Sequence, residues 1–299
     1  MSINETDPIQ EFLNYLSFQK RYSPNTIISY QNDLNEFSRF IIGQYNITKV
    51  TEISTVIIRS WLASLKENKI SSRTINRKIS SLKSFFKYLL KIKAIEASPI
   101  SVISSLKTHR SLPSFIAEKD MNILLNHDFF PDSFEGKTVY LLIEILYQTG
   151  IRRSELIHLK ENDIDRSAGM IKVLGKGNKE RLIPVSNDLI ALIDNYISEK
   201  KSLKEITSPF LLINKKGKSL YPKYVYNMVE KYLSLVSTNE RKSPHILRHS
   251  FATHLTNNGA QINAIKELLG HSSLAATQIY THNSIEKLKE VYNQAHPKA

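Results

Sequence analysis

The sequence predicts a mainly α-helical protein of two domains, an N-terminal helical domain and a larger mixed α/β domain with a small β-sheet. Three observations predict it. Apolar residues recur at helical spacing through the first ninety or so positions. A segment rich in proline and serine, Ser98 to Pro113, then interrupts the pattern. Beyond it lies a strand-like stretch, Gly169 to Val185, folded around a glycine-rich basic turn and set among further helical segments. A chain of 299 residues also exceeds the usual domain size of about 100–200 residues, which favours two domains.

In chain order, Ile9, Phe12, Leu13 and Leu16 share one face of a first helix. Ser23 followed by Pro24 reads as an N-cap with proline at the first helical position, opening a helix through Phe40. Two more helices are expected over Thr55–Lys66 and Ser72–Lys91. In the last, Ile75, Ile79, Leu82, Phe86 and Leu89 form one apolar stripe. Its remaining positions and the residues just after it carry Arg73, Arg77, Lys78, Lys83, Lys87, Lys91 and Lys93 with no acidic residue between them. A solvated face usually mixes charge signs. A face of one sign is relieved of its self-repulsion when laid against phosphates, so Arg73, Arg77, Lys78, Lys83 and Lys87 are read as DNA contacts. The domain bounds are placed at 1–107 and 118–299, with 108–117 as linker. The second domain opens with helices over Glu118–Leu125 and Lys137–Thr149, passes through the hairpin, and returns to helix from Asn187.

Composition narrows the function. Lys and Arg number 41 against 28 Asp and Glu, a net charge of +13, and a protein this basic usually meets a polyanion. No apolar run approaches the ~20 residues of a membrane-spanning helix. The polar, acidic start, Met1 to Asp7, is unlike a signal peptide, and a cytoplasmic location is expected. There is no cysteine, which excludes disulfides, thiolate metal sites and a cysteine nucleophile.

Four clusters carry possible chemistry. They are Thr149-Gly150-Ile151-Arg152 with Glu155 shortly after; Lys176 between Gly175 and Gly177 in the hairpin turn; the run from His245 through Arg248 to His254; and Leu269-Gly270-His271 followed by Tyr280. Singly each has a plain reading: a surface arginine, a turn lysine, a chance pair, a packing tyrosine. Their order and spacing together resemble the tyrosine recombinase (phage integrase) family. That family uses an Arg, a hairpin Lys, a His-x-x-Arg pair, a later His or Trp, and a Tyr about nine residues further on. The run His245-Ile246-Leu247-Arg248-His249-Ser250-Phe251-Ala252-Thr253-His254-Leu255 is its most specific match. The likeness covers nearly the whole chain, since Ser23 to Leu34 and Ser72 to Phe86 are similar to the family's N-terminal domain. The length leaves no room for an added arm-binding domain, and this places the likeness in the Xer subgroup. The departures are Arg153, where Val or Ala is more usual, and Ala275-Ala276 for a more polar pair.

The resemblance implies a SAM-like core-binding domain and a catalytic domain forming a C-shaped clamp on DNA. It implies site-specific strand cleavage and rejoining through a 3′-phosphotyrosyl intermediate on Tyr280. Arg152 and Arg248 would bind the non-bridging phosphate oxygens, because guanidinium forks fit them and stay charged at any cellular pH. A free tyrosine has a pKa of about 10, so roughly one in a thousand is ionised at neutral pH. Cationic surroundings and a proton acceptor, His245 oriented by Glu155, would lower that cost. Lys176 would protonate the leaving 5′-oxygen, with Lys179 its rival. His271 would hydrogen-bond the phosphate, and Lys179 and Arg181 would contact the DNA backbone. No metal or other cofactor is implied: the arginines neutralise the phosphate and the phosphotyrosine conserves the bond energy. Spacing such as His249 to His254 lacks the glutamate of a zinc peptidase motif. The implied partner is double-stranded DNA, held by a homo- or hetero-tetramer on two duplexes, with a second Xer recombinase and a DNA translocase as further candidates. Segment 283–299 would be a tail that docks subunits together. The implied role is resolution of chromosome or plasmid dimers at a dif-like site. Mobile-element integration, topoisomerase IB-like relaxation, a non-catalytic DNA-binding regulator and a metal-dependent nuclease are the alternatives.

Overall fold

The computed structural model describes residues 7–108, 114–126, 129–175, 179–270 and 282–299. The chain divides into two compact units, Met1–Ser111 and Leu112–Ala299. Each has its own apolar core.

The first unit is helical throughout: α1 (Pro8–Asn14), which runs on into a wider turn over Tyr15–Gln19, α2 (Pro24–Tyr45), α3 (Thr55–Glu67) and α4 (Ser72–Lys91). Each start follows from a cap. Asp7, Ser23, Ser54 and Ser71 accept from backbone amides of the first turns, and Pro8 and Pro24 stand where no amide hydrogen is needed. Helix α2 runs five residues beyond the expected Phe40 and ends at Asn46 in the left-handed conformation. Its last turn stays helical because Ile41 is buried in the core. All five residues of the α4 stripe are buried, and Phe37 packs on Trp61 at 5.0 Å between ring centres.

The basic face of α4 needs one correction. Lys78 is 5% exposed. It lies three positions after Ile75 and four before Leu82, on the buried side of the helix. A buried ammonium requires carboxylates, and α2 supplies them: Asp33 at 3.3 Å and Glu36 at 2.6 Å. Asp33, itself buried, also receives Arg77 and the Ser81 hydroxyl. Lys78 therefore ties α4 to α2 and is not a DNA contact. Arg73, Lys83 and Lys87 are exposed, and Arg77 is about half so, with one nitrogen on Ser29.

The second unit contains α5 (Glu118–Asn126), α6 (Phe134–Thr149), α7 (Arg153–Ile157), strands β1 (Ile164–Asp165), β2 (Met170–Leu174) and β3 (Glu180–Pro184), then α8 (Asn187–Lys201), α9 (Pro222–Val236), α10 (Pro244–Asn257), α11 (Ile262–Leu269) and α12 (His282–Ala295). The sheet is antiparallel in the order β1-β2-β3, with Met170 opposite Pro184 and Leu174 opposite Glu180. The expected hairpin is β2–β3. The two-residue β1 is too short to leave a periodic signal. Helix α6 is buried on nearly every side, packing against α8 and α10, and is the axis of the unit.

Helix α12 lies against β3, α10 and α11 of its own unit. Leu288, Tyr292 and Ala295 recur at helical spacing and are buried in the core. Segment 283–299, expected as a tail that docks other subunits, is thus packed at home by its described apolar residues. His296 follows it inward, stacked on Tyr292 at 4.9 Å and donating to the Tyr147 carbonyl at 3.3 Å. Burial holds His296 far below its ordinary value, at about 3, and pushes His254 down as well. Each takes up its proton at lower pH in the folded chain than the ordinary 6.5 or so of the unfolded one, so the unfolded chain binds more protons as the pH falls below that value. Stability is full above about pH 6.5 and declines as the pH falls toward 3. In thermal melts from pH 7 to pH 4, His296→Gln is expected to lose melting temperature less steeply than the parent, and equal slopes would contradict this.

Candidate active site

The site is assembled at helix ends. Helix α6 stops at Gly150, whose φ of +59° suits glycine. A Cβ there would stand 2.5 Å from Cδ1 of Phe251, so no other residue fits without displacing the core. After buried Ile151 the chain reaches Arg152, the N-cap of α7. Glu155, one turn on, folds back: its Oε2 accepts the Arg152 amide at 2.8 Å and its Oε1 accepts Nη1 of the Arg152 guanidinium at 2.8 Å. Arg181 arrives from β3 and grips the same carboxylate with both ends, Nη1 to Oε1 at 3.1 Å and Nη2 to Oε2 at 2.7 Å. Its Nε donates to the Leu268 carbonyl at 2.8 Å.

Arg248 enters from α10. Nη1 donates to the Gly150 carbonyl and Nη2 to the Leu269 carbonyl, each at 2.6 Å. Arg152 reaches the Gly270 carbonyl at 3.4 Å. Gly150 and residues 268–270 lie at the C-terminal ends of α6 and α11, where carbonyls lack helical partners and the helix dipole is negative. The fold thus gathers guanidiniums where backbone oxygen is in surplus.

Two guanidiniums, Arg152 and Arg181, meet one carboxylate, and Arg248 stands near them on backbone carbonyls, leaving a local charge of about +2 in a partly desolvated setting. Burial lowers Arg248 to about 10, and the positive charges of Arg152 and Arg181 push the same way, so it remains cationic at neutral pH. Burial alone would raise Glu155. The hydrogen bonds and charge of Arg181, with the amide and side chain of Arg152, outweigh it and hold the carboxyl below its usual range. The Arg152 side chain is 34% exposed and Arg248 partly so, and both can meet an incoming anion. His245 is exposed on the same helix as Arg248, three positions earlier and so on the same face. A cavity of about 650 Å³ opens beside the cluster, lined among others by Arg152, Glu155, His158, Lys172 and Gly175.

Arg152, Glu155 and Arg248 are brought together as the sequence suggested. Lys176, His271 and Tyr280 lie outside the described residues. Lys179 is exposed at the base of the hairpin turn, where its carbonyl accepts the Gly175 amide at 2.7 Å. Two assignments change. Arg181 is 4% exposed with its guanidinium held by Glu155 and Leu268, so it is an internal support and not a phosphate contact. On β3 it falls opposite Val173 and two residues before the core residue Ile183, an inward position, and only the buried acid makes that tolerable. Glu155 orients the arginines rather than His245, because both of its oxygens are taken by Arg152 and Arg181. His254, part of the zinc-like spacing, has both ring nitrogens engaged, with the Tyr147 hydroxyl at 3.1 Å and the Ile116 carbonyl at 2.9 Å. Sequence reasoning missed the carbonyls of Gly150, Leu269 and Gly270. The glycines that permit those helix ends were its one available signal.

Comparison with known proteins shows the family. The profile of the phage integrase family matches residues 114–287, and that of the phage integrase N-terminal SAM-like domain matches residues 9–93. The tyrosine recombinase XerC of Listeria welshimeri is 38% identical, with 97% of each chain covered. That of Halalkalibacterium halodurans is 36% identical over the full length of both. Among solved structures, XerH site-specific recombinase bound to a palindromic difH substrate in a post-cleavage complex superposes with a TM-score of 0.72 at 25% identity, covering 96% of this chain and 88% of that one. The Tn1549 transposon integrase in complex with circular intermediate DNA shares the fold, with a TM-score of 0.71 at 20% identity over 94% of this chain and 98% of its own. The chain belongs to the phage integrase family and is a tyrosine recombinase, an enzyme that cuts and rejoins DNA at specific sites. No helix among the described residues is long and apolar enough to cross a membrane.

Proposed function

We propose that Arg152 and Arg248 hold the scissile phosphate of double-stranded DNA while the Tyr280 hydroxyl attacks the phosphorus. The observation that carries this is the pair of partly exposed guanidiniums held side by side, Arg152 by Glu155 of α7 and Arg248 by the backbone carbonyls that end α6 and α11. Attack forms the phosphorus–oxygen bond to Tyr280 and breaks the bond to the 5′-oxygen, leaving a 3′-phosphotyrosyl link. Lys176 gives the departing 5′-oxygen its proton, and His245 takes the tyrosine proton. His271 hydrogen-bonds the phosphate, and Arg73, Arg77, Lys83, Lys87 and Lys179 contact the backbone. Because the link conserves the energy of the broken bond, a 5′-hydroxyl from a second duplex reverses the sequence and no nucleotide is consumed. The arginines supply the charge stabilisation that a metal ion supplies in other phosphoryl-transfer sites.

The biological reading is dimer resolution at a dif-like site, by a tetramer on two duplexes working with a second Xer recombinase and a DNA translocase in the cytoplasm. Full-length similarity to XerC proteins and the difH complex of XerH support it. A nicked suicide duplex tests the chemistry. The parent protein is expected to become covalently linked to DNA in the presence of EDTA, and Tyr280→Phe to form no adduct. Undiminished adduct from Tyr280→Phe would remove the proposed nucleophile. Strands exchanged between two duplexes mark recombination, and relaxation of a single circle without exchange marks a topoisomerase.

A further inference from the structure

We infer that Arg181 is a positioning residue for DNA cleavage, the buried strut that sets the β2–β3 hairpin and the end of α11 against the Arg152–Glu155 pair. This rests on the reading of Tyr280 as nucleophile. From the hairpin, Arg181 bonds to both of the other elements: Glu155 on α7 through two nitrogens and the Leu268 carbonyl on α11 through the third. It is also sterically enclosed. A Cβ on Gly270 would stand 3.0 Å from its Cδ, and one on Gly175 would stand 3.5 Å from its Nη1. Two glycines from separate segments therefore fit around one guanidinium. Gly175 immediately precedes Lys176, and Gly270 immediately precedes His271. The strut thus adjoins both proposed catalytic segments and the carboxylate that aims Arg152. Being buried, with each of its three guanidinium nitrogens bonded inside the protein, it presents no fork to a phosphate.

The fork geometry is the essential feature. A lysine at 181 keeps the charge but cannot donate to Leu268 and to both carboxylate oxygens in one plane. The test measures single-turnover adduct formation by full-length Arg181→Ala and Arg181→Lys on the nicked duplex the parent cleaves, with DNA affinity and melting temperature recorded in parallel. At saturating DNA both variants are expected to cleave about 10- to 100-fold more slowly, the usual effect of removing a group that orients a direct ligand, with affinity within twofold of the parent. Millimolar ethylguanidinium is expected to restore part of the rate to Arg181→Ala, and ethylammonium to restore none. In Arg181→Ala the acid limb of the rate profile is expected to move to higher pH, since Glu155 loses the partner that chiefly holds its carboxyl down. Weakened binding with parental cleavage of bound DNA would make Arg181 a phosphate contact and overturn the inference. So would parental rates in either variant, or loss of the folded state in both, which would make the residue structural only. Adduct from Tyr280→Phe in the same series would instead sink the reading of the nucleophile, whatever Arg181 does.

Discussion

Arg248→Ala is expected to lower the rate of adduct formation at saturating DNA by about 10²–10³-fold, the loss typical of a single preorganised charge-stabilising donor. Attack on the phosphorus adds negative charge to the non-bridging oxygens. The guanidinium that meets it is already fixed at 2.6 Å from two carbonyls, so little reorganisation accompanies the reaction. The same truncation strands the carbonyls of Gly150 and Leu269, at a cost of about 1–3 kcal/mol for each that stays buried without a partner. Arg248→Lys separates the two effects. It restores a charge but cannot reach both helix ends and the phosphate, so folding is expected to recover more than cleavage does. Rates measured with rapid quench on prebound DNA decide the matter, and a fall of less than threefold in Arg248→Ala would remove the residue from the chemistry.

Glu155→Ala is expected to be the most damaging single change to stability among the site residues. It leaves the Arg181 guanidinium, 4% exposed, with one carbonyl where it had two carboxylate oxygens as well. Breaking a buried pair by removing one partner costs about 3–5 kcal/mol. The capping contact at the start of α7 is lost with it, because the carboxylate also receives the amide of the N-cap residue Arg152. Urea unfolding of the C-terminal unit measures this, and a loss below about 1 kcal/mol would mean that water reaches Arg181 freely. Linkage sharpens the expectation. The folded state holds the Glu155 carboxyl below its unfolded value, so its contribution is complete above the ordinary carboxylate range and disappears as the pH falls through and below that range. Glu155→Gln, which has no such titration, is expected to lose less stability than the parent between pH 5 and pH 3.

The legible and illegible parts of this molecule divide along a physical line. Helix α4 and the β2–β3 hairpin were plain in the sequence, because capping residues and apolar period are local signals that neighbouring residues carry. The association of Arg152, Glu155 and Arg248 was suggested by motif order. The direction of Lys78 and Arg181 was not. Each looked like a member of a basic face, and each proved to be neutralised by an acid remote in the chain, Asp33 with Glu36 in one case and Glu155 in the other. Position relative to the apolar stripe held a clue for Lys78, three residues from Ile75 and four from Leu82. For Arg181 the clue was its place two residues before Ile183, on the same face of β3. Charge counting treats every cation as solvated, and it fails where the fold brings a carboxylate to meet one indoors. The carbonyl contacts of Arg248 could not be read at all, since backbone oxygen is the same at every residue and only the tertiary structure selects which ones converge.

The two partly exposed guanidiniums are moored to different materials. Arg248 hangs on peptide oxygens, which keep their dipoles at any pH the protein survives. Arg152 hangs on an acid that protonation can silence. Acidification therefore slackens one jaw of the phosphate grip while the other keeps its bearing, and the pair falls out of alignment before either has lost its charge.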